Sequence, residues 1–157
     1  MNIKKDQLAI SILIPVAVGA ISGLLSGNSM RMFNTMVKPP LSPPAWLFPV
    51  VWTILYVLMG IASYIIYSYG IEREDVRKAL FFYALQLVFN FFWSIFFFNK
   101  EWYLFSFIWL LALWGLIFVM IRMYLKIAPV AAYLMIPYLV WVTFAGYLNL
   151  GIYILNR

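Results

Sequence analysis

Pro39-Pro40-Leu41-Ser42-Pro43-Pro44-Ala45-Trp46-Leu47-Phe48-Pro49-Val50-Val51-Trp52-Thr53-Ile54-Leu55-Tyr56 reads as a stiff loop running straight into an apolar helix. Prolines at 39, 40, 43 and 44 favour extended, polyproline-like backbone. Pro43 and Pro44 also suit a helix start, because a first-turn residue has no intrahelical partner for its N–H. No charge occurs from Ala45 to Tyr69. Those 25 residues are enough to cross a hydrocarbon core of about 30 Å with some tilt. Phe48, Trp52 and Tyr56 recur every fourth residue and so share one helix face.

Four more apolar runs flank this one. The expected spans are 8–26, 45–69, 79–98, 102–122 and 130–155, within one domain, 1–157, whose loop 27–44 forms a lid. The first run is longer than a signal-peptide core and carries Pro15, so it reads as a retained span. Its Gly19 and Gly23 suit a helix–helix contact. Gly70 to Lys78 reads as a charged turn, and Asn99-Lys100-Glu101 as a break. Pro137 should kink the last span.

Composition fits this reading. Hydrophobic residues make up 66% and charged residues 10%, whereas soluble domains carry roughly 25% charge. The fold class is therefore all-α, an integral membrane five-helix bundle. With neither cysteine nor histidine, the chain has no disulfide, thiolate, imidazole base or usual metal ligand set, so no metal site is expected. Asp6, Glu72, Glu74, Asp75 and Glu101 all lie outside the apolar runs, which argues against a buried proton relay. The net charge of +6 comes from residues flanking spans, so no nucleic-acid surface is expected. Loops on the N-terminal side carry seven basic residues and those on the other side four. This bias places the N-terminus in the cytoplasm and the C-terminus outside, the pattern of a bacterial plasma-membrane protein.

Uncharged polar residues inside the spans carry the functional signal. Gln86, Asn90 and Ser94 share a face of the third helix, with Trp93 beside it. Tyr138, Trp141, Ala145 and Asn149 share a face of the fifth. Lipid offers an amide no partner, so these faces must turn inward. There they either satisfy one another across helices or line a pocket beneath the lid.

Together these residues resemble a known family. The run Lys38-Pro39, Pro43-Pro44-x-Trp46-x-Phe48-x-x-x-Trp52-x-x-Leu55-Tyr56-x-x-Met59-Gly60 resembles the signature of the TspO/MBR family, the tryptophan-rich sensory proteins related to the translocator protein or peripheral benzodiazepine receptor. Gln86-Leu87-x-x-Asn90-x-x-Trp93 and Pro137-Tyr138-Leu139-x-Trp141-x-x-Phe144-x-x-Tyr147-Leu148-Asn149 continue it. The resemblance implies a five-helix bundle, commonly a homodimer, in membrane lipid. It also implies a pocket for porphyrins such as protoporphyrin IX and for isoquinoline carboxamide drugs, with no cofactor required. The implied ligand-binding residues are Phe33, Pro43, Phe48, Trp52, Tyr56, Asn90, Trp93, Ser94, Trp141 and Ala145. Phe33 stands where many members carry tyrosine, Met32-Phe33 where many carry Trp-Tyr, and Pro40-Leu41 where many carry a tryptophan.

Three functions are thereby expected, in this order. The first is sensory or regulatory binding of tetrapyrrole-like aromatics. The second is light-dependent porphyrin breakdown, with Trp52 and Trp141 as the reacting side chains, since the chain lacks the groups of an ordinary enzyme. The third is transport of tetrapyrroles or lipids, which the missing repeats and missing intramembrane charges disfavour. Leu150, Tyr153 and Arg157 fit a pattern proposed for sterol contact, and equally an ordinary interfacial anchor.

Overall fold

The computed structural model describes residues 2–157, and among them there is no β-strand. The order is α1 (Lys5–Leu25), α2 (Ser29–Thr35), α3 (Leu47–Tyr67), α4 (Glu74–Ser94), α5 (Tyr103–Ile127) and α6 (Pro129–Asn156). A wide π turn, Ile95–Asn99, extends α4. Five of these helices are long and apolar enough to cross a membrane. The all-α five-helix bundle expected from the sequence is thus observed.

The long helices form a closed ring in the order α1, α3, α6, α5, α4 and back to α1, with α3 also touching α4. Between the α5 and α6 helices lies only Ala128, and Pro129 opens α6 at the position where its missing N–H costs nothing. Gly70, at φ 112°, makes the left-handed turn between α3 and α4.

Lipid tails are as apolar as side chains, so close packing, more than exclusion of water, holds membrane helices together. Small residues accordingly sit at the contacts. Ala62, Ala79, Ala131 and Ala132 are fully buried, interleaved with Met59, Ile117, Met120 and Met135. The tightest approach joins α1 and α3. A Cβ on Gly60 would strike the Ile12 backbone and come within 2.7 Å of the Ser11 carbonyl oxygen.

Several boundaries differ from the sequence reading, each for a local reason. The lid is not wholly extended, since α2 occupies Ser29–Thr35. Its last turn is capped by Lys38 Nζ, which donates to the carbonyls of Phe33, Asn34 and Met36, where a cation complements the helix dipole. Pro43 and Pro44 precede α3 without entering it, because a turn closed by Leu47 N–H to the Pro44 carbonyl intervenes. The charged segment 74–78 belongs to α4. Glu74 and Asp75 occupy its first turn, and Asp75 Oδ1 accepts from the Val76 N–H. Asn99 does not break α4 but ends its π turn, and the break falls at Lys100–Trp102. The α5 helix runs on to Ile127, with Lys126 in its last turn. Pro137 lies within an unbroken α6.

The glycine contact gives a direct test. Gly60→Ala should destabilise the bundle by about 1–3 kcal/mol, the range for overpacking. Gly115→Ala, where an added Cβ meets nothing within 4 Å, should be neutral or stabilising by up to about 1 kcal/mol through helix propensity. Thermal unfolding of both variants in detergent checks the contrast.

Candidate functional site

At the end of the bundle remote from the lid, apolar side chains fill the ring. Towards the lid the ring is hollow, with a cavity of about 380 Å³. That falls within the usual range for small-molecule sites, roughly 300–1,000 Å³.

The floor is polar, and its side chains hydrogen-bond one another. Tyr56 Oη donates to Asn90 Oδ1 at 2.7 Å, and Asn90 Nδ2 donates to Tyr138 Oη at 2.8 Å. Tyr138 Oη then donates to Gln86 Oε1 at 2.6 Å. This chain draws α3, α4 and α6 to one point. A second junction lies at Asn149, whose Oδ1 accepts from Trp93 Nε1 at 3.0 Å and Ser106 Oγ at 3.1 Å. Its Nδ2 donates to the Tyr103 carbonyl at 2.8 Å. The amides therefore bond to tyrosine, tryptophan and serine partners, not to one another.

The walls are aromatic. Trp52 stacks on Tyr56, with ring centroids 5.6 Å apart at 27°. Trp141 meets Trp52 edge-on at 6.5 Å and Phe48 edge-on at 5.7 Å. Phe33, carried inward by α2, packs edge-on against Phe48 at 4.8 Å. The remaining wall comes from α1, where Ser22 hydrogen-bonds Ser94 and Ser26 Oγ donates to Ser94 Oγ at 3.1 Å. Every lining residue is uncharged.

Few polar atoms remain free for a ligand. Trp141 Nε1 is buried with no hydrogen-bond partner. Asn90 uses one of its acceptor positions and one of its two N–H groups in the floor, so one of each is left. The Tyr56 hydroxyl donates its only proton to Asn90, so its ring is what faces the cavity.

Of the ten ligand-binding residues expected from the sequence, the structure sets nine around this cavity: Phe33, Phe48, Trp52, Tyr56, Asn90, Trp93, Ser94, Trp141 and Ala145. Pro43 does not line it, but lies in the loop leading to α3. Leu150, Tyr153 and Arg157 are also outside. Tyr153 and Arg157 border a shallow hollow beside residues 101–105, and Leu150 faces outward. The α1 wall (Gly19, Ser22, Gly23, Ser26) was not among the expected site residues. Its signal was present, since these four small residues share one helix face.

The lid docks on α6. Asn156 pairs with both backbone groups of Val37, at 2.8 and 3.2 Å, and Tyr147 Oη donates to the Pro40 carbonyl at 2.7 Å. Pro39 packs against Gly151, where an added Cβ would sit 2.6 Å from the proline ring.

Fold and site together define a membrane-spanning helical bundle with a lidded, aromatic-walled cavity. The model of the TspO/MBR family matches residues 11–155. Tryptophan-rich protein TspO of Chlorobaculum tepidum is 36% identical over 157 residues, covering 99% of each chain. Tryptophan-rich protein TspO of Archaeoglobus fulgidus is 38% identical, again over 99% of each. Translocator protein of Ovis aries is 35% identical over 127 residues, 80% of this chain and 75% of its own. The chain belongs to the TspO/MBR family and is an integral membrane protein.

Tyr138→Phe tests the floor. It strips one partner each from Asn90 and Gln86, whose Nε2 is already buried without one. A buried orphan costs about 1–3 kcal/mol in general, but membrane hydrogen bonds average nearer 0.6. A loss of about 1–2 kcal/mol is expected, against less than about 0.5 for Tyr133→Phe on the exposed face. Melting curves of the two variants distinguish them.

Proposed function

We propose that the cavity binds flat, largely apolar aromatic ligands of the porphyrin class, and that this binding serves a sensory or regulatory role. The carrying observation is the composition of the wall. Trp52, Trp141, Phe48 and Tyr56 present ring faces and edges around an uncharged space. Such walls favour a flat aromatic body by stacking and edge contacts. The spare hydrogen-bonding capacity of Asn90 suits a polar atom on the ligand. An isoquinoline carboxamide, with a bicyclic ring and one amide, meets the same description. The family names support the same direction, since relatives are called tryptophan-rich sensory protein and translocator protein.

A second reading has one observation in its favour. Trp52 and Trp141 both line the cavity, 6.5 Å apart. A bound porphyrin would lie against both indoles, the side chains most easily oxidised by an excited chromophore. Loss of the Soret band of bound protoporphyrin IX under light but not in darkness, abolished by replacing both tryptophans, would favour this reading. A stable band would leave binding alone.

Trp52→Phe and Trp141→Phe keep an apolar ring and lose the indole N–H. Each should weaken protoporphyrin IX binding by about 1–2 kcal/mol, the scale of an aromatic contact and a hydrogen bond. Trp141→Phe should leave the melting temperature nearly unchanged, because its N–H bonds to nothing in the protein. Titration by fluorescence quenching in detergent, beside melting curves, reads both. Wild-type affinity in both variants would refute the site.

A further inference from the structure

We infer that the cavity fills sideways from the lipid, through a gap between α1 and α3 at the lid end, and not through the lid. This inference rests on the cavity being a ligand site. It follows from how α1 is held. Near its N-terminal end α1 is pressed on α3. The Lys4 N–H donates to Tyr64 Oη at 2.9 Å, Gly60 admits the Ile12 backbone, and Gly19 is covered by the Tyr56 ring. Towards the lid, the bonds of α1 go to α4 instead. Ser22 and Ser26 hydrogen-bond Ser94, Ser22 Oγ also donates to the Phe91 carbonyl, and Asn99 Nδ2 donates to the Leu25 carbonyl at 2.7 Å. The helix thus leaves α3 and leans on α4 as it rises.

The gap left behind is open. One turn beyond Gly19, a Cβ on Gly23 would meet nothing within 4 Å. Cavity-lining residues that are also exposed mark a mouth, and they lie along this gap: Ala20 and Gly23 on α1, Pro49 and Thr53 on α3, and Met30 above them on α2. Thr53 is six residues into its span, about 9 Å along the helix. The mouth therefore extends from the interface into the hydrocarbon. Its chemistry matches that depth. Thr53 Oγ1 donates to the Pro49 carbonyl, which leaves its methyl group to the lipid.

The alternative entrance is shut. The lid is fastened to α6 through Val37, Pro39 and Pro40, and Phe33 and Ala45 are buried beneath it. Opening it would break three hydrogen bonds and expose two apolar side chains, whereas entry through the lateral mouth breaks none of these. A flat apolar ligand also concentrates in the bilayer, so the side route meets the larger supply.

Stopped-flow quenching by protoporphyrin IX in lipid nanodiscs tests the route with three variants. Gly23→Phe plugs the mouth from α1, and Thr53→Trp plugs it independently from α3. A Val37→Cys/Asn156→Cys pair, joined by a short bis-maleimide, locks the lid, and the chain has no other cysteine to react. A blocked route slows entry and exit by the same factor. Each plug should therefore slow association about tenfold, whatever it does to Kd, since both residues also border the cavity, while the locked lid binds at the wild-type rate. Wild-type association in both plugged variants, or slowed association in the locked one, overturns the lateral route. So does a raised Kd with unchanged association, which would make Gly23 and Thr53 wall residues only, with no part in entry. If wild type itself shows no saturable quenching, the cavity reading fails and the route falls with it.

Discussion

An amide inside a bilayer has no water to bond to, and this constraint shapes the molecule. Asn90 lies one turn before the end of α4, inside the span Glu74–Asn99, and must find its partners within the bundle. It finds Tyr56 on α3 and Tyr138 on α6, and Tyr138 passes the chain on to Gln86. Four side chains thereby fix three helices at one level. On one side of that level, alanines and methionines fill the ring. On the other, large aromatic side chains hold the helices apart and leave a space.

The hollow half stays open because its aromatics brace one another. Trp52 rests on Tyr56, whose hydroxyl is tied to Asn90, and Trp141 stands edge-on to Trp52. Trp93 is held through Asn149, which is itself anchored to α5 through Ser106 and the Tyr103 carbonyl. Each ring is thus held in place by contacts within the protein alone. The same order separates the two kinds of tryptophan in the wall. The Trp93 N–H is bonded within the protein, while the Trp141 N–H is buried without a partner.

Much of this was legible in the sequence. Charge-free runs located the five spans, because spanning segments cannot carry unpaired charge. The four-residue spacing of Phe48, Trp52 and Tyr56, and of Gln86, Asn90 and Ser94, assigned the inward faces. The partners of the amides were not legible, because pairs such as Trp93 with Asn149 join positions 56 residues apart. The α2 helix was missed because seven residues give too little periodicity, and a lysine beyond its end caps it. The lining role of α1 was hidden by an ambiguity, since small residues on one face serve a helix contact and a cavity wall equally well. Gly19 does both and Gly23 only the second.

The central claim is that the lidded cavity is where an aromatic ligand sits. Photolabelling the protein in lipid with a diazirine-bearing porphyrin, followed by mass-spectrometric mapping of the adducts, tests it most directly. Adducts should fall on Phe48, Trp52, Trp141 and Ala145, and unlabelled protoporphyrin IX should suppress them. Adducts confined to the exposed face of α5, at Leu104, Ile108 and Leu111, and unaffected by competitor, would contradict the account.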